Sequence, residues 1–345
     1  MKPARNGIVS AYKLIAACAV VFIHFPFPGA FGKWVDCLAR FAVPLFFAIS
    51  GYYAYRVDAG RLVKRLKKLI ALAVTGYGAF FLWECLYRSV LQHKGVGGYV
   101  RRLLKVETLA AVLFMEEDPF YGHLWYLAAM VVVYIVYILY TRFWKKPEDI
   151  DYTPLYCVAA CGFLFQIAFG MKLAGAGLST DKLLYRNSLY LGIPMFALGL
   201  FLNQYRERLL ERYGFNGRRA AVLIAAGFGL SLVQWFGIRK TAMPAGMLLV
   251  VGSLLLLANS GPDRAAPGKG TAMLCRWAEI SSTVIYLFHP LVEKLISKAG
   301  KGIGFLDAVR SRPALYPLFI LFTSMALGVL VSMVREILRK KGARS

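Results

Sequence analysis

The stretch IVSAYKLIAACAVVFIHFP, residues 8–26, decides how the rest of the chain can fold. Apart from Lys13 and His24 it is almost entirely apolar. As an α-helix its nineteen residues extend about 28 Å, close to the thickness of the hydrocarbon core of a bilayer. Because no small-residue cleavage site follows, we expect this segment to be retained as the first membrane span.

Similar apolar runs recur along the whole chain. Counting the first, they cover approximately residues 8–26, 37–56, 66–90, 122–141, 153–170, 186–204, 219–236, 242–259, 276–297 and 314–336. The pattern predicts an all-α fold, a polytopic integral membrane bundle of about ten transmembrane helices forming one domain over residues 1–345. In the longest connection, residues 89–121, a basic, then apolar, then acidic order predicts an extracytoplasmic loop with a short helix at the interface.

The charge distribution favours one orientation of this bundle. The chain has 42 Lys and Arg residues against 18 acidic residues, although 59% of its residues are hydrophobic. With both termini in the cytoplasm, 24 of these bases fall in inner segments and 16 in outer ones, as the positive-inside rule requires. The bases are spaced as loop anchors beside a lipid bilayer, which argues against nucleic acid as a partner.

This orientation places the histidines at one depth. His24, His93, His123 and His289 all fall in the outer half, together with Arg40, Arg186 and Asn187. Ionisable groups are costly in hydrocarbon unless they face a bundle interior or a wet cavity, so their convergence predicts a polar chamber that opens outward. The alternative is that some of them, His93 and Arg186 above all, lie at the level of the lipid headgroups.

Lys13 and His24 lie on one face of the first helix. Their separation of eleven residues corresponds to three turns plus about 20°, and to an axial distance of roughly 16 Å. We expect Lys13 to contact an anionic or carbonyl group that enters from the cytoplasm and His24 to transfer protons further out, since imidazole serves as both acid and base near neutral pH. Alternatively, Lys13 extends towards the inner surface as an anchor.

Five segments in order resemble the signature segments of the membrane acyltransferase 3 family, of the O-acetyltransferase type. They are VSAYKLIAACAVVFIHFPFP (9–28), ARFAVPLFFAISGYYAY (39–55), HLWYLAAMVVVY (123–134), YRNSLYLGIPMFALG (185–199) and SSTVIYLFHPLV (281–292). Within that family, the stretch RNSLYLGIPMFALG looks most like the membrane domain of the membrane-bound serine racemases of vancomycin-resistance systems. The racemase domain of those proteins is not expected here.

The resemblance implies that His24 is the essential histidine, Lys13 its basic partner and Arg40 the arginine before the VPxFFxxSGY segment. It also implies a bacterial plasma-membrane protein with acetyl-CoA or another acyl-CoA as cytoplasmic donor and a glycan or cell-envelope hydroxyl as acceptor. The chain departs from the family at Ser10, where many members have an acidic residue three positions before the basic one.

From these residues we expect His24 to act as general base or to take the acyl group itself, while Lys13 and Arg40 stabilise the thioester oxygen or position the donor. The bases Arg61, Lys64, Arg65 and Lys68 are predicted to hold the phosphates of CoA, although positive-inside anchoring explains the same run. Predicted acceptor-binding residues are Ser50, Tyr52, His123, Trp125, Arg186, Asn187 and His289.

Two other functions fit the same residues. A transporter of serine or another small amino acid would also use a basic chamber with a buried lysine. A third hypothesis is that the protein has no catalytic activity and serves as an assembly partner for a cell-wall enzyme. The sequence contains no zinc-type Cys/His motif and predicts no metal site, and it leaves the oligomeric state open.

Overall fold

The computed structural model describes residues 6–114, 116, 118–175, 186–238, 243–261, 269–299 and 302–342. All regular elements within these residues are helical. In chain order they are α1 (Gly7–His24), α2 (Gly29–Ala39), α3 (Ala42–Tyr52), α4 (Ala59–Leu86), α5 (Gly97–Leu103), α6 (Val106–Phe114), α7 (Trp125–Thr141), α8 (Thr153–Gly175), α9 (Ile193–Gln204), α10 (Arg206–Glu211), α11 (Gly217–Val233), α12 (Met247–Ala258), α13 (Lys269–Lys294), α14 (Gly304–Arg310) and α15 (Tyr316–Gly342).

Short helical turns of other types extend some of these helices. A 3₁₀ turn, Pro147–Asp149, precedes α8. Four π-helical turns adjoin α4, α9, α11 and α13, at Tyr87–Leu91, Ser188–Gly192, Gln234–Ile238 and Leu295–Ala299. Such turns are rare and are often found at functional sites.

Within the described residues, five helical segments are long and apolar enough to cross a membrane: Gly7–His24, Gly29–Tyr52, Ala59–Leu91, Gly217–Gly237 and Tyr316–Arg339. Shorter apolar helices lie over other predicted spans, for example Trp125–Thr141 and Met247–Ala258. The all-α, multi-pass membrane character is therefore confirmed. The number of ten spans, the orientation of the termini and the single domain stay predictions.

One compact unit comprises residues 1–46 and 206–345. Here α13 packs against both α1 and α15, and α2 packs on α11. Trp34 of α2 also contacts Phe236 in the π-helical turn that follows α11, with ring centroids 5.2 Å apart. Between α13 and α15, the hydroxyls of Ser281 and Ser332 lie 3.4 Å apart. Small polar residues at this contact allow the two helices to approach closely, as is common for helices packed in a bilayer.

The second compact unit comprises residues 47–205. Its tightest helix contact joins the end of α3 to α9 through two glycines. A Cβ atom on Gly51 would lie 1.9 Å from the carbonyl oxygen of Phe196, and one on Gly199 would lie 2.0 Å from that of Ala48. Only glycine permits this approach of two backbones, because any side chain would overlap the facing carbonyl.

We predict that Gly199→Ala destabilises the protein strongly, because α9 must move away from α3 to accommodate the methyl group. Overpacking of this kind costs about 1–3 kcal/mol or more. The measurement is the thermal unfolding midpoint in detergent. Gly78→Ala on α4 is the matched control, since a Cβ atom there meets no atom within 4 Å. Equal midpoints for the two variants would contradict the proposed close approach.

Candidate active site

Helix α1 holds Lys13 and His24 in one rigid frame. The Asn6 side chain caps its start, accepting from the backbone N–H groups of Ile8 at 3.0 Å and Val9 at 3.3 Å. The Asn6 amide also donates to the carbonyl of Ala258 at 2.7 Å, which ties α1 to the end of α12. The helix ends at His24, before the sequence Phe-Pro-Phe-Pro, in which proline prevents continuation.

At the C-terminal end of α1, His24 contacts a second histidine, His289 of α13. The two imidazole centroids are 5.2 Å apart and the rings are inclined by 52°. His24 is half-buried, whereas His289 is 0% exposed. The structure thus brings together two histidines that are 265 positions apart in the sequence.

The backbone of α13 fixes the tautomer of His289. Its Nδ1 atom lies 2.9 Å from the carbonyl of Ile285 and 3.0 Å from that of Tyr286. Pro290 has no N–H to donate to the carbonyl four residues earlier, that of Tyr286, so this carbonyl is available to the imidazole. Because a carbonyl only accepts, Nδ1 carries the proton, and Nε2 of the neutral ring is an acceptor.

A second polar level lies nearer the start of the same two helices. Ser10 is 2% exposed, and its hydroxyl lies 3.5 Å from a carboxylate oxygen of Glu279 on α13. From this level to the histidine pair, α1 advances fourteen residues and α13 ten. The two helices therefore run in the same direction, and α13 supplies a carboxylate beside Ser10, where α1 itself has none.

Arg40 is fixed in place by two neighbours that were not predicted from the sequence. Its guanidinium donates to Asp36 through two nitrogens, at 2.6 and 3.0 Å, and both side chains are at most 10% exposed. The guanidinium also lies over the ring of Trp235, 5.3 Å from the centroid. Trp235 belongs to the π-helical turn after α11. The i,i+4 spacing of Asp36 and Arg40 was a usable signal for the pair.

In the second unit, two predicted residues join one hydrogen-bond network. Ser50 and Arg65 both interact with the hydroxyl of Tyr134 on α7, and Arg65 also donates to the carbonyl of Tyr53 at 2.6 Å. The carbonyl of Tyr52 accepts from the amide of Asn203 at 2.9 Å. Arg65 is thus a structural part of the packing between α3, α4 and α7.

The remaining bases of α4 are more exposed. Arg61 forms an ion pair of 2.9 Å with Asp58, and its side chain is 77% exposed. Lys64 and Lys68 are also exposed. These side chains can reach phosphates or lipid headgroups alike, so their binding of CoA stays a prediction.

His123 is buried just before the start of α7. Its Nδ1 atom is 3.5 Å from Asp118, and both side chains are fully buried. Asp118 accepts from the backbone N–H groups of His123 and Leu124, each at 2.9 Å, and the Phe80 ring lies 4.9 Å from the imidazole. Trp125 is half-buried against Phe47.

Arg186 and Asn187 stand at the start of the π-helical turn before α9. Asn187 accepts from the backbone N–H of Tyr190 at 2.8 Å, while Arg186 is half-buried. The next residue, Ser188, donates its backbone N–H to buried Glu116 at 2.6 Å. Burial raises the pKa of Glu116 above its ordinary value, and the hydrogen bonds from Ser188 offset only part of this rise. The acceptor-binding roles predicted for these residues stay predictions.

The three predicted catalytic residues lie in the unit of residues 1–46 and 206–345, whereas the predicted CoA-binding bases and all predicted acceptor-binding residues except His289 lie in the unit of residues 47–205. The first of these units holds Lys13, His24, Arg40 and His289, and it adds Asp36, Trp235 and Glu279 to the predicted set. In the part of the chain that the structure describes, no group of three or more His, Cys, Asp or Glu side chains is arranged to hold a metal ion.

Comparison with known proteins decides the family. The model of the acyltransferase 3 family, described as an acyltransferase domain, matches residues 9–333. The chain belongs to this family. It is also similar to an amino-acid racemase of Enterococcus faecalis, with 25% identity over 347 aligned positions, which cover 89% of the chain and 43% of that relative. The chain thus spans less than half the length of the racemase. No solved structure matches it.

We predict that Asp36→Asn destabilises the protein by about 3 kcal/mol, because it leaves the charge of Arg40 buried without its carboxylate. Thermal unfolding in detergent measures the loss. Asp58→Asn is the matched control: it removes the carboxylate from an exposed ion pair, and asparagine remains a good helix cap. If both variants unfold at the same temperature, Asp36 does not hold Arg40 as described.

Proposed function

We propose that this protein transfers an acyl group, in the first instance acetyl, from cytoplasmic acyl-CoA to a hydroxyl of an extracytoplasmic glycan or cell-envelope acceptor. The observation that carries the proposal is the pair His24 and His289 at one end of α1, with Lys13 on the same helix about 16 Å nearer its start. With the N-terminus in the cytoplasm, this geometry suits a donor that enters from within and an acceptor that arrives from outside.

In the proposed reaction His24 is the general base. Its imidazole takes the proton of the acceptor hydroxyl, whose oxygen attacks the thioester carbonyl. A C–O bond forms, the C–S bond breaks, and the departing CoA sulfur receives the proton that His24 holds. His24 is suited to this task because it is half-buried, and therefore more accessible than His289, which is completely buried.

His289 is proposed to support the charge that His24 acquires. Its Nδ1 proton is held by two carbonyls, so the ring presents an acceptor nitrogen and stays neutral. A fixed neutral acceptor beside a developing imidazolium stabilises that charge without adding a second positive one. His289 would thus position and stabilise His24, beyond the acceptor-binding role predicted from the sequence.

The cations are assigned to the donor. Lys13 lies at the inner level of α1, where it would face the anionic part of the donor while the thioester reaches His24. Arg40, fixed by Asp36 and Trp235, is proposed to stabilise the thioester oxygen. Independently, the exposed bases Arg61, Lys64 and Lys68, together with Arg65, would attract CoA phosphates at the cytoplasmic face.

We predict that His24→Asn lowers the rate of acyl transfer at least a hundredfold, as expected for the loss of a general base. Purified protein is incubated with labelled acetyl-CoA and an extracted cell-envelope glycan fraction, and both free CoA thiol and label on the glycan are measured. His93→Asn is the control, because His93 is exposed and has a φ of 51° that asparagine tolerates.

Retention of transfer by His24→Asn would contradict the assigned role of His24. Label that remains on the protein in the absence of glycan would show a covalent acyl-enzyme instead of direct transfer. Counterflow of labelled serine in proteoliposomes, with no turnover of acetyl-CoA, would refute the acyltransferase and support the transporter.

A further inference from the structure

We infer that Glu279 of α13 is the counter-charge of Lys13 on α1. It holds the ammonium group at the polar level that Ser10 and Glu279 form near the start of the two helices. The role of this pair in binding the donor rests on the proposed function. The existence of the pair does not, and it is tested separately below.

Contact between α1 and α13 places the two charges within reach. Ser10 and Lys13 are three residues apart on α1, so they lie on neighbouring positions of one helix face, about 4.5 Å apart along the axis. The carboxylate of Glu279 lies 3.5 Å from the Ser10 hydroxyl. The flexible Lys13 side chain, which is half-buried, spans this remaining distance easily.

Helices α1 and α12 carry no carboxylate, and the carboxylate of α15 faces other bases. Helix α1 contains no Asp or Glu over Gly7–His24, and neither does α12 over Met247–Ala258. On α15, Glu336 faces Arg276 of α13 at 3.8 Å and Arg339 at 2.6 Å. Around α13, therefore, Arg276 is directed towards α15, and Glu279 towards α1.

The ion pair of Lys13 and Glu279 would offset the cost of placing a charged lysine within an apolar helix. A lysine within an apolar run is costly unless it meets a carboxylate or extends to the surface. Without Glu279, Lys13 would extend towards the inner headgroups. With Glu279, its ammonium is held beside Ser10, at the end of α1 where the proposed donor would bind. Glu279 is in this sense a positioning residue that acts through Lys13.

Steady-state kinetics with acetyl-CoA tests the positioning role. Glu279→Gln is expected to raise the KM for acetyl-CoA about tenfold or more, with a smaller change in kcat. Adding Ser10→Asp to that variant should recover most of the loss, because the new carboxylate lies beside the one removed. Ser10→Asp alone should be impaired, since it places two carboxylates together. Glu107→Gln, exposed on α6, is the control.

Rescue by Ser10→Asp distinguishes positioning from a merely structural role, because a packing defect at residue 279 would not be repaired by a charge on α1. Failure of the rescue, with Glu279→Gln folded and impaired, would overturn the inference.

A double-variant cycle tests the ion pair without any activity. Thermal unfolding midpoints are measured in detergent, in the absence of CoA, for Lys13→Met, Glu279→Gln and the double variant. We expect the double variant to unfold at or above the midpoint of Glu279→Gln, because neither charge is then left alone. Additive losses from the two single changes would overturn the pair. Coupled midpoints in a protein that does not turn over acetyl-CoA would retain the pair and refute only the proposed function.

Discussion

The packing of α1 along α13, in the same direction, holds the two polar levels of the candidate site together. Polar groups inside an apolar helix are tolerated only where a neighbouring helix meets them. Helix α13 meets α1 at two levels, with Glu279 beside Ser10 and His289 beside His24. Any rotation of one helix about its axis would separate both levels at once, so the polar contacts specify the register as well as the chemistry.

The surrounding structure fixes this register by backbone means. Asn6 caps α1 and ties it to α12, while Pro290 frees the carbonyl that orients His289. The cap fixes where α1 begins. The proline leaves the Tyr286 carbonyl free to accept from Nδ1 of His289, and this hydrogen bond helps to place the proton on that nitrogen. The proposed base and its neutral partner are thus positioned by main-chain geometry, which tolerates little rearrangement during catalysis.

The positions of the helices could be predicted from the sequence better than the contacts between them. The first span was expected at 8–26 and is Gly7–His24, because apolar composition and the following prolines mark both ends. The third was expected at 66–90, yet α4 begins at Ala59, since its first two turns are too basic to count as apolar. Other helices, such as the twelve-residue Met247–Ala258, are shorter than the apolar run that predicted them.

The candidate site shows the same division. Lys13, His24 and Arg40 were found because their helical spacing and the family resemblance single them out. Contacts between helices far apart in the chain bring His289 to His24, and they also place Glu279 and Trp235 at the site. Hydrophobic periodicity does not predict such contacts. Asp36 was not predicted either, although its spacing of four residues from Arg40 is typical of an ion pair on one helix face.

In the proposed reaction, an acyl group passes from a donor at the cytoplasmic end of α1 to an acceptor at its extracytoplasmic end. The most direct measurement uses sealed right-side-out membrane vesicles with labelled acetyl-CoA either enclosed or added outside. We expect label on the glycan of the outer surface only when the acetyl-CoA is enclosed, and we expect His24→Asn to abolish this labelling. Equal labelling from acetyl-CoA added outside would show that the acyl group does not cross the membrane through this protein.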